Sequence, residues 1–225
     1  MEFSKDLLNN SVPSAGQLPD SAFVTFHYKE NAVKKVLFVG NSITLHGPKP
    51  SIGWTGNWGM AASAPERDYV HLCVAELEKR FGNVSWCIAQ AAVWERGFDD
   101  PAVLDTHFGS ARAFGADIVI VRIGENTDRK LLAEHDYCAA FAGMVRYFTP
   151  AAQRVLVTDL FWPSPAIDDP IRRAVAENGW TQVKLGDLGA QPEMKALGLF
   201  EHSGVASHPG DAGMRAIADR ILAAL

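Results

Sequence analysis

The chain predicts an α/β fold, a parallel sheet covered by helices on both faces. Short apolar runs such as Val36-Leu37-Phe38-Val39 and Ile118-Val119-Ile120-Val121 alternate with amphipathic stretches along most of its length. The runs are apolar without a break, the pattern of strands buried on both sides, which crossover helices produce. At 225 residues and 48% hydrophobic, the chain is long enough to bury one sizeable core.

Each element follows from local signals. Residues before about Asp20 read as a loose arm, and Ala22 to Tyr28 alternate well enough for a short edge strand. We therefore divide the chain into an N-terminal arm over 1–30 and a main domain over 31–225. The first buried strand starts near Lys35. Ser63-x-x-Glu66 has the form of a capping box, and Tyr69, Leu72, Cys73, Leu77 and Phe81 follow at helical spacing until Gly82. A second strand spans Val84 to Ala89, a helical patch Pro101 to Phe114, and a strand Ile118 to Ile123. One long helix is expected from Leu131 to Phe148, ended by Thr149-Pro150. Then come a strand over Arg154 to Leu160, a helix over Asp169 to Asn178 closed by Gly179, a fifth strand over Thr181 to Leu185, and a last helix over Asp211 to Ala224.

Composition narrows the partners. The net charge is -5 with no basic run, which argues against nucleic acid or an anionic membrane surface and favours a small neutral or polar substrate. Cys73, Cys87 and Cys138 are odd in number and lie in apolar-periodic segments, as buried reduced thiols do. The N-terminus has no basic start leading into a long apolar stretch, so a cytoplasmic protein without a membrane span is expected. His202 and His208 lack a zinc spacing, and the loop glycines lack a phosphate-cradling one, so neither metal nor cofactor is expected. No oligomeric state is fixed.

Three motifs carry the chemistry. Gly40-Asn41-Ser42-Ile43-Thr44 follows the first apolar run, Gly124-Glu125-Asn126-Thr127 follows another, and Ser207-His208-Pro209-Gly210-Asp211 precedes the final helix. Ligands in open α/β sheets bind beyond the carboxyl ends of strands, so a hydroxyl, a carboxamide and an imidazole are delivered to one sheet edge. In this order the motifs resemble those of the SGNH, or GDSL-type, hydrolases, and the resemblance runs from about Lys35 to Leu225.

The resemblance implies a three-layer, flavodoxin-like α/β/α sandwich with five parallel strands, and a hydrolase acting on ester bonds. It implies Ser42 as nucleophile and His208 as general base, with an oxyanion hole formed by the Ser42 N–H, the Asn126 amide and a backbone N–H near Ala92. Pro209 would fix the backbone before the last helix, with Asp211 as that helix's cap. Two departures from the family pattern matter. Where the family offers a glycine preceded by asparagine, this chain has Gln90-Ala91-Ala92, so a donor there requires a negative φ. The family's aspartate three residues before the histidine is replaced by Val205. Either Glu201 supplies the acid by another loop path, or a backbone carbonyl near Val205 orients the ring and leaves a Ser-His dyad, the alternative we favour. With histidine as base, activity should vary between about pH 5 and pH 8.

Trp54, Trp58, Trp94 and Trp162 fall in loops near strand ends, where flat aromatic faces suit a sugar. Glu95-Arg96 reads as a solvated loop pair, whereas Arg122 and Asp159, in apolar strands, read as a buried ion pair. The leading expectation is an esterase releasing a small acyl group, preferably acetyl, from a carbohydrate or oligosaccharide. Two others stand beside it: a carbohydrate-binding protein that has lost its acid, and an acyltransferase.

Overall fold

A computed structural model describes residues 17–225, so the first sixteen residues of the predicted arm lie outside it. Among the described residues six strands form one sheet: β1 (Val24–His27), β2 (Lys34–Gly40), β3 (Val84–Gln90), β4 (Ile118–Arg122), β5 (Arg154–Thr158) and β6 (Thr181–Val183). Their order is β1-β3-β2-β4-β5-β6, with β1 antiparallel to β3 and every other pair parallel. Counted from β2, the five parallel strands run 2-1-3-4-5, the flavodoxin-like order. The expected five-stranded sheet thus gains a sixth strand, because the 22–28 segment pairs with the free edge of β3.

Successive side chains of a strand point to opposite faces, so each continuous apolar run feeds two cores. Leu37, Val39, Val119 and Val121 pack against α2 (Ala92–Arg96), α3 (Ala102–Ala113), α5 (Tyr137–Phe148) and α6 (Pro165–Asn178) through Trp94, Phe108, Phe141 and Ile171. Val36, Phe38 and Ile120 pack against α1 (Tyr69–Phe81) and α8 (Asp211–Ala223) through Tyr69, Leu77, Ile217 and Ile221. All three cysteines are buried and free, as expected. Among the described residues no helix is long and apolar enough to cross a membrane.

Capping departs from the sequence reading at three places. The expected long helix is two, α4 (Arg129–Glu134) and α5, because the Asp136 carboxylate accepts the Ala139 N–H at 3.1 Å and starts a new helix. Ser63-x-x-Glu66 forms no capping box; Asp68 caps α1 by accepting the His71 N–H at 2.8 Å. Ser63 instead donates its N–H and Oγ–H to Asp211, at 2.8 and 2.7 Å. Asp211 is therefore the first residue inside α8 rather than its cap, where a carboxylate still suits the helix dipole.

Register places the site. Gly40, the last residue of β2, pairs with Gln90 on one side and Arg122 on the other. The three central strands end level, so Asn41-Ser42, Ala91-Ala92 and Ile123-Gly124 emerge together where the strand order reverses.

Candidate active site

Ser42 stands at the head of a tight turn in which the Thr44 and Leu45 N–H groups donate back to the Asn41 carbonyl at 2.9 and 3.0 Å. Gly40 permits this close approach, since a Cβ there would lie 1.8 Å from Thr44 Oγ1. His208 follows a four-residue helix, α7 (Ser203–Ala206), and its N–H donates to the Val205 carbonyl at 2.9 Å. That turn sets the Gly204 carbonyl 2.7 Å from His208 Nδ1. A carbonyl can only accept, so the ring proton sits on Nδ1 and the Nε2 lone pair faces Ser42 Oγ at 2.8 Å. The Trp162 ring contacts the imidazole edge-on, 5.3 Å between centroids.

Burial moves the imidazole from its ordinary pKa down to about 4; the Gly204 bond opposes the shift, and the Arg122 and His46 charges add to it. Neutral His208 is thus the resting form well below pH 7, and the pH 5 to 8 dependence expected from the sequence shifts to more acidic conditions. Glu201 is exposed and Val205 is buried, so neither supplies the Nδ1 partner; the backbone carbonyl fills that place, one residue from where it was expected.

Asn126 completes the trio at the sheet edge. Its Nδ2 donates to Glu95 Oε2 at 2.7 Å, and its N–H donates to Oε1 at 3.1 Å. Oε1 also accepts from Gly124 N at 2.7 Å and Asn41 Nδ2 at 3.0 Å. Glu95, read from the sequence as solvated, is fully buried, because the short helix α2 turns it inward beneath the loop after β4. Arg122 is also fully buried but pairs with Glu125, and its Nη1 donates to Asn41 Oδ1 at 2.7 Å. The expected Arg122–Asp159 pair does not form, because Asp159 accepts from the Leu185 and Gly186 backbone instead. Desolvation lowers the Arg122 pKa to about 10, which leaves it cationic at neutral pH.

These groups surround a cavity of about 460 Å³ whose walls include Ser42, Gln90, Ala92, Asn126 and His208, with Phe23 contributed from the N-terminal arm. Ala92 opens α2 with ordinary negative φ, so its Cβ is tolerated; its N–H meets Gln90 Oε1 at 3.3 Å, and the Ser42 N–H meets no acceptor among the described residues. The tryptophans do not line this cavity. Trp94 is buried against Phe98, Tyr137 and Phe141. Trp54, 2% exposed, packs on Trp58 and Phe200 and donates Nε1–H to the His46 carbonyl, while Trp58 donates to the Ala62 carbonyl. Their large apolar faces staple the 46–60 loop from behind, and Trp162 borders the site through its ring contact with His208. The stacking role expected from sequence gives way to a structural one.

Sequence reasoning missed Glu95, Gly204 and Gln90. A carboxylate in the apolar-flanked run Val93-Trp94-Glu95, close after a strand end, was the available signal for Glu95. A carbonyl leaves no signature of residue type.

No protein-family model matches this chain, and no curated protein matches it in sequence. Solved structures match it in fold. LAE5, an α/β hydrolase enzyme from the metagenome of Lake Arreo, Spain, aligns with a TM-score of 0.57 at 20% identity, covering 86% of this chain and 95% of its own. A variant of Axe2, an acetyl-xylooligosaccharide esterase from Geobacillus stearothermophilus, gives 0.55 at 18% identity, over 86% and 94%. A two-domain esterase active on acetylated mannans gives 0.52 at 19% identity, over 84% of this chain and 48% of that one. The chain thus has the α/β sandwich fold seen in these esterases, with its hydroxyl, imidazole and carboxamide gathered at the carboxyl edge of the sheet.

Proposed function

We propose that the protein is a cofactor-independent serine esterase of the SGNH type that removes a small acyl group, acetyl by preference, from a carbohydrate. One observation carries the reading: Ser42 Oγ lies 2.8 Å from the unprotonated Nε2 of a histidine whose other nitrogen is tied to the Gly204 carbonyl. A hydroxyl is a weak nucleophile at neutral pH, and this contact gives its proton somewhere to go.

In the first half-reaction Ser42 Oγ bonds to the ester carbonyl carbon while its proton passes to His208 Nε2. The oxyanion is met by the Asn126 amide, the Ser42 N–H and the Ala92 N–H. Collapse breaks the bond to the alkoxy oxygen, which takes the Nε2 proton and leaves as the alcohol. Water then attacks the acyl-enzyme, gives a proton to Nε2, and releases the acid as that proton returns to Ser42. His208 is an imidazolium only transiently, and a neutral carbonyl stabilises that cation less than a carboxylate does. The Gly204 carbonyl nevertheless fixes the tautomer, which supports catalysis over a binding protein without turnover. The carbohydrate class is supported by the structural neighbours that act on acetylated xylo-oligosaccharides and mannans.

A fluorophosphonate probe tests the mechanism. One adduct on the wild type and none on Ser42→Ala is expected; a label that persists in Ser42→Ala would exclude Ser42 as the nucleophile.

A further inference from the structure

We infer that the alcohol half of the substrate carries an anion, a carboxylate or a phosphate on the sugar, held by Lys49 and Arg96. This rests on the esterase reading and adds the substrate's charge to it. The chain has a net charge of -5, yet the cavity beside Ser42 is lined by Lys49, Arg96, His46, His202 and His208 and, among the described residues, by no carboxylate. The nearby acids are engaged elsewhere. Glu95 is buried under Asn126, Glu125 pairs with Arg122, and Asp128 caps α4 by accepting the Lys130 N–H. Glu201, beside His202 in sequence, is exposed and outside the cavity wall.

The Lys49 ammonium and the Arg96 guanidinium have no ion-pair or hydrogen-bond partner among the described residues, whereas the guanidinium groups of Arg122, Arg172 and Arg220 each have one. Two unpaired cations from different segments, the 46–60 loop and the end of α2, thus flank a concave site walled also by Phe23, Ile52, Met60 and Val93. Low-dielectric walls focus such a field on an incoming anion, and the planar guanidinium can bind a carboxylate or phosphate in a fork. His202 adds a neutral donor: its Nδ1 accepts the Val205 N–H at 3.3 Å, which leaves its proton on Nε2.

The test compares an O-acetylated methyl glucoside with the matching glucuronoside and the matching sugar phosphate, using para-nitrophenyl acetate as a small neutral reference. An anionic ester should show a KM about tenfold below the neutral one at low salt, a gap that narrows in about 0.5 M NaCl as screening sets in. The ratio of neutral to anionic KM should collapse toward one in Lys49→Ala/Arg96→Ala. Whether carboxylate or phosphate is favoured identifies the source of the charge. Equal KM values that ignore salt and are unaltered in the double variant overturn the inference, while hydrolysis of para-nitrophenyl acetate leaves the esterase reading intact. Should no ester be cleaved, calorimetry with glucuronate and glucose phosphate decides: binding lost in the double variant sustains the cationic site, and no binding to the wild type rejects it.

Discussion

Asn126 Nδ2 points at Glu95 Oε2 from 2.7 Å, and that contact fixes which end of the carboxamide can meet a carbonyl oxygen. A carboxylate accepts only, so it selects the amino end of Asn126 and leaves that group's second hydrogen for the cavity. Under the proposed esterase reading, Glu95 is thus a positioning residue for Asn126.

Glu95→Gln keeps the volume but faces Asn126 with an amide nitrogen, which favours a flipped carboxamide presenting oxygen to the cavity. We expect kcat to fall about 100-fold with KM nearly unchanged, close to the loss in Asn126→Ala. Adding Glu95→Gln to Asn126→Ala should cost little more. Full additivity in that double-mutant cycle would show that Glu95 acts on the fold in general and not through Asn126.

Ser42→Ala and His208→Ala should each lower kcat by about 10⁴-fold or more, and the double variant should be no worse than either. Steady-state kinetics on para-nitrophenyl acetate measures this. Independent, multiplying losses would mean that the two side chains do not work as a unit.

Free-enzyme activity should follow the depressed imidazole. With the His208 pKa lowered to about 4 by burial, kcat/KM is expected to stay level from neutral to about pH 5 and to halve near pH 4. A midpoint near 6.5 would mean a solvated ring. Stability follows the same group: the unfolded imidazole takes a proton near pH 6.5 and the folded one only near pH 4, so the unfolded state binds more protons between these values. The contribution is complete above about pH 6.5 and is lost as pH falls toward 4. Thermal melts across that range should show a declining Tm, with the decline smaller in His208→Ala.

Trp94→Ala should destabilise by about 3–5 kcal/mol, as expected for a buried aromatic, and leave KM little changed. Denaturant melts and kinetics separate this from sugar stacking, which would raise KM and spare the melt. Gly124→Ala should be similarly harmful, since φ is 140° and a Cβ would sit 2.7 Å from Leu160 Cδ2; backbone strain alone costs about 1–3 kcal/mol.

The alternation of apolar runs and amphipathic stretches was enough to read the parallel sheet, because strands buried on both faces admit few polar residues. The meeting of Ser42, Asn126 and His208 at one cavity was legible because a hydroxyl, an amide and an imidazole at strand ends are chemically conspicuous. What escaped was set by competition between nearby groups. Asp136 outbid helix continuity, and Asp68 outbid Ser63 for the cap of α1. Glu95 looked solvated because its partners, Asn41, Gly124 and Asn126, are 29 to 54 residues away along the chain. The tryptophans were placed near the right edge but on the wrong side of the cavity wall, since a pattern gives proximity and not facing.

The acceptor behind His208 belongs to the main chain, so no replacement of the Gly204 side position can delete it. The proton's address is held by the pitch of one short turn. Insertions, deletions or a kink between residues 202 and 208 are therefore the changes that would scramble it, and a Cβ at Gly204, 2.9 Å from His202 Cε1, would press on the same turn.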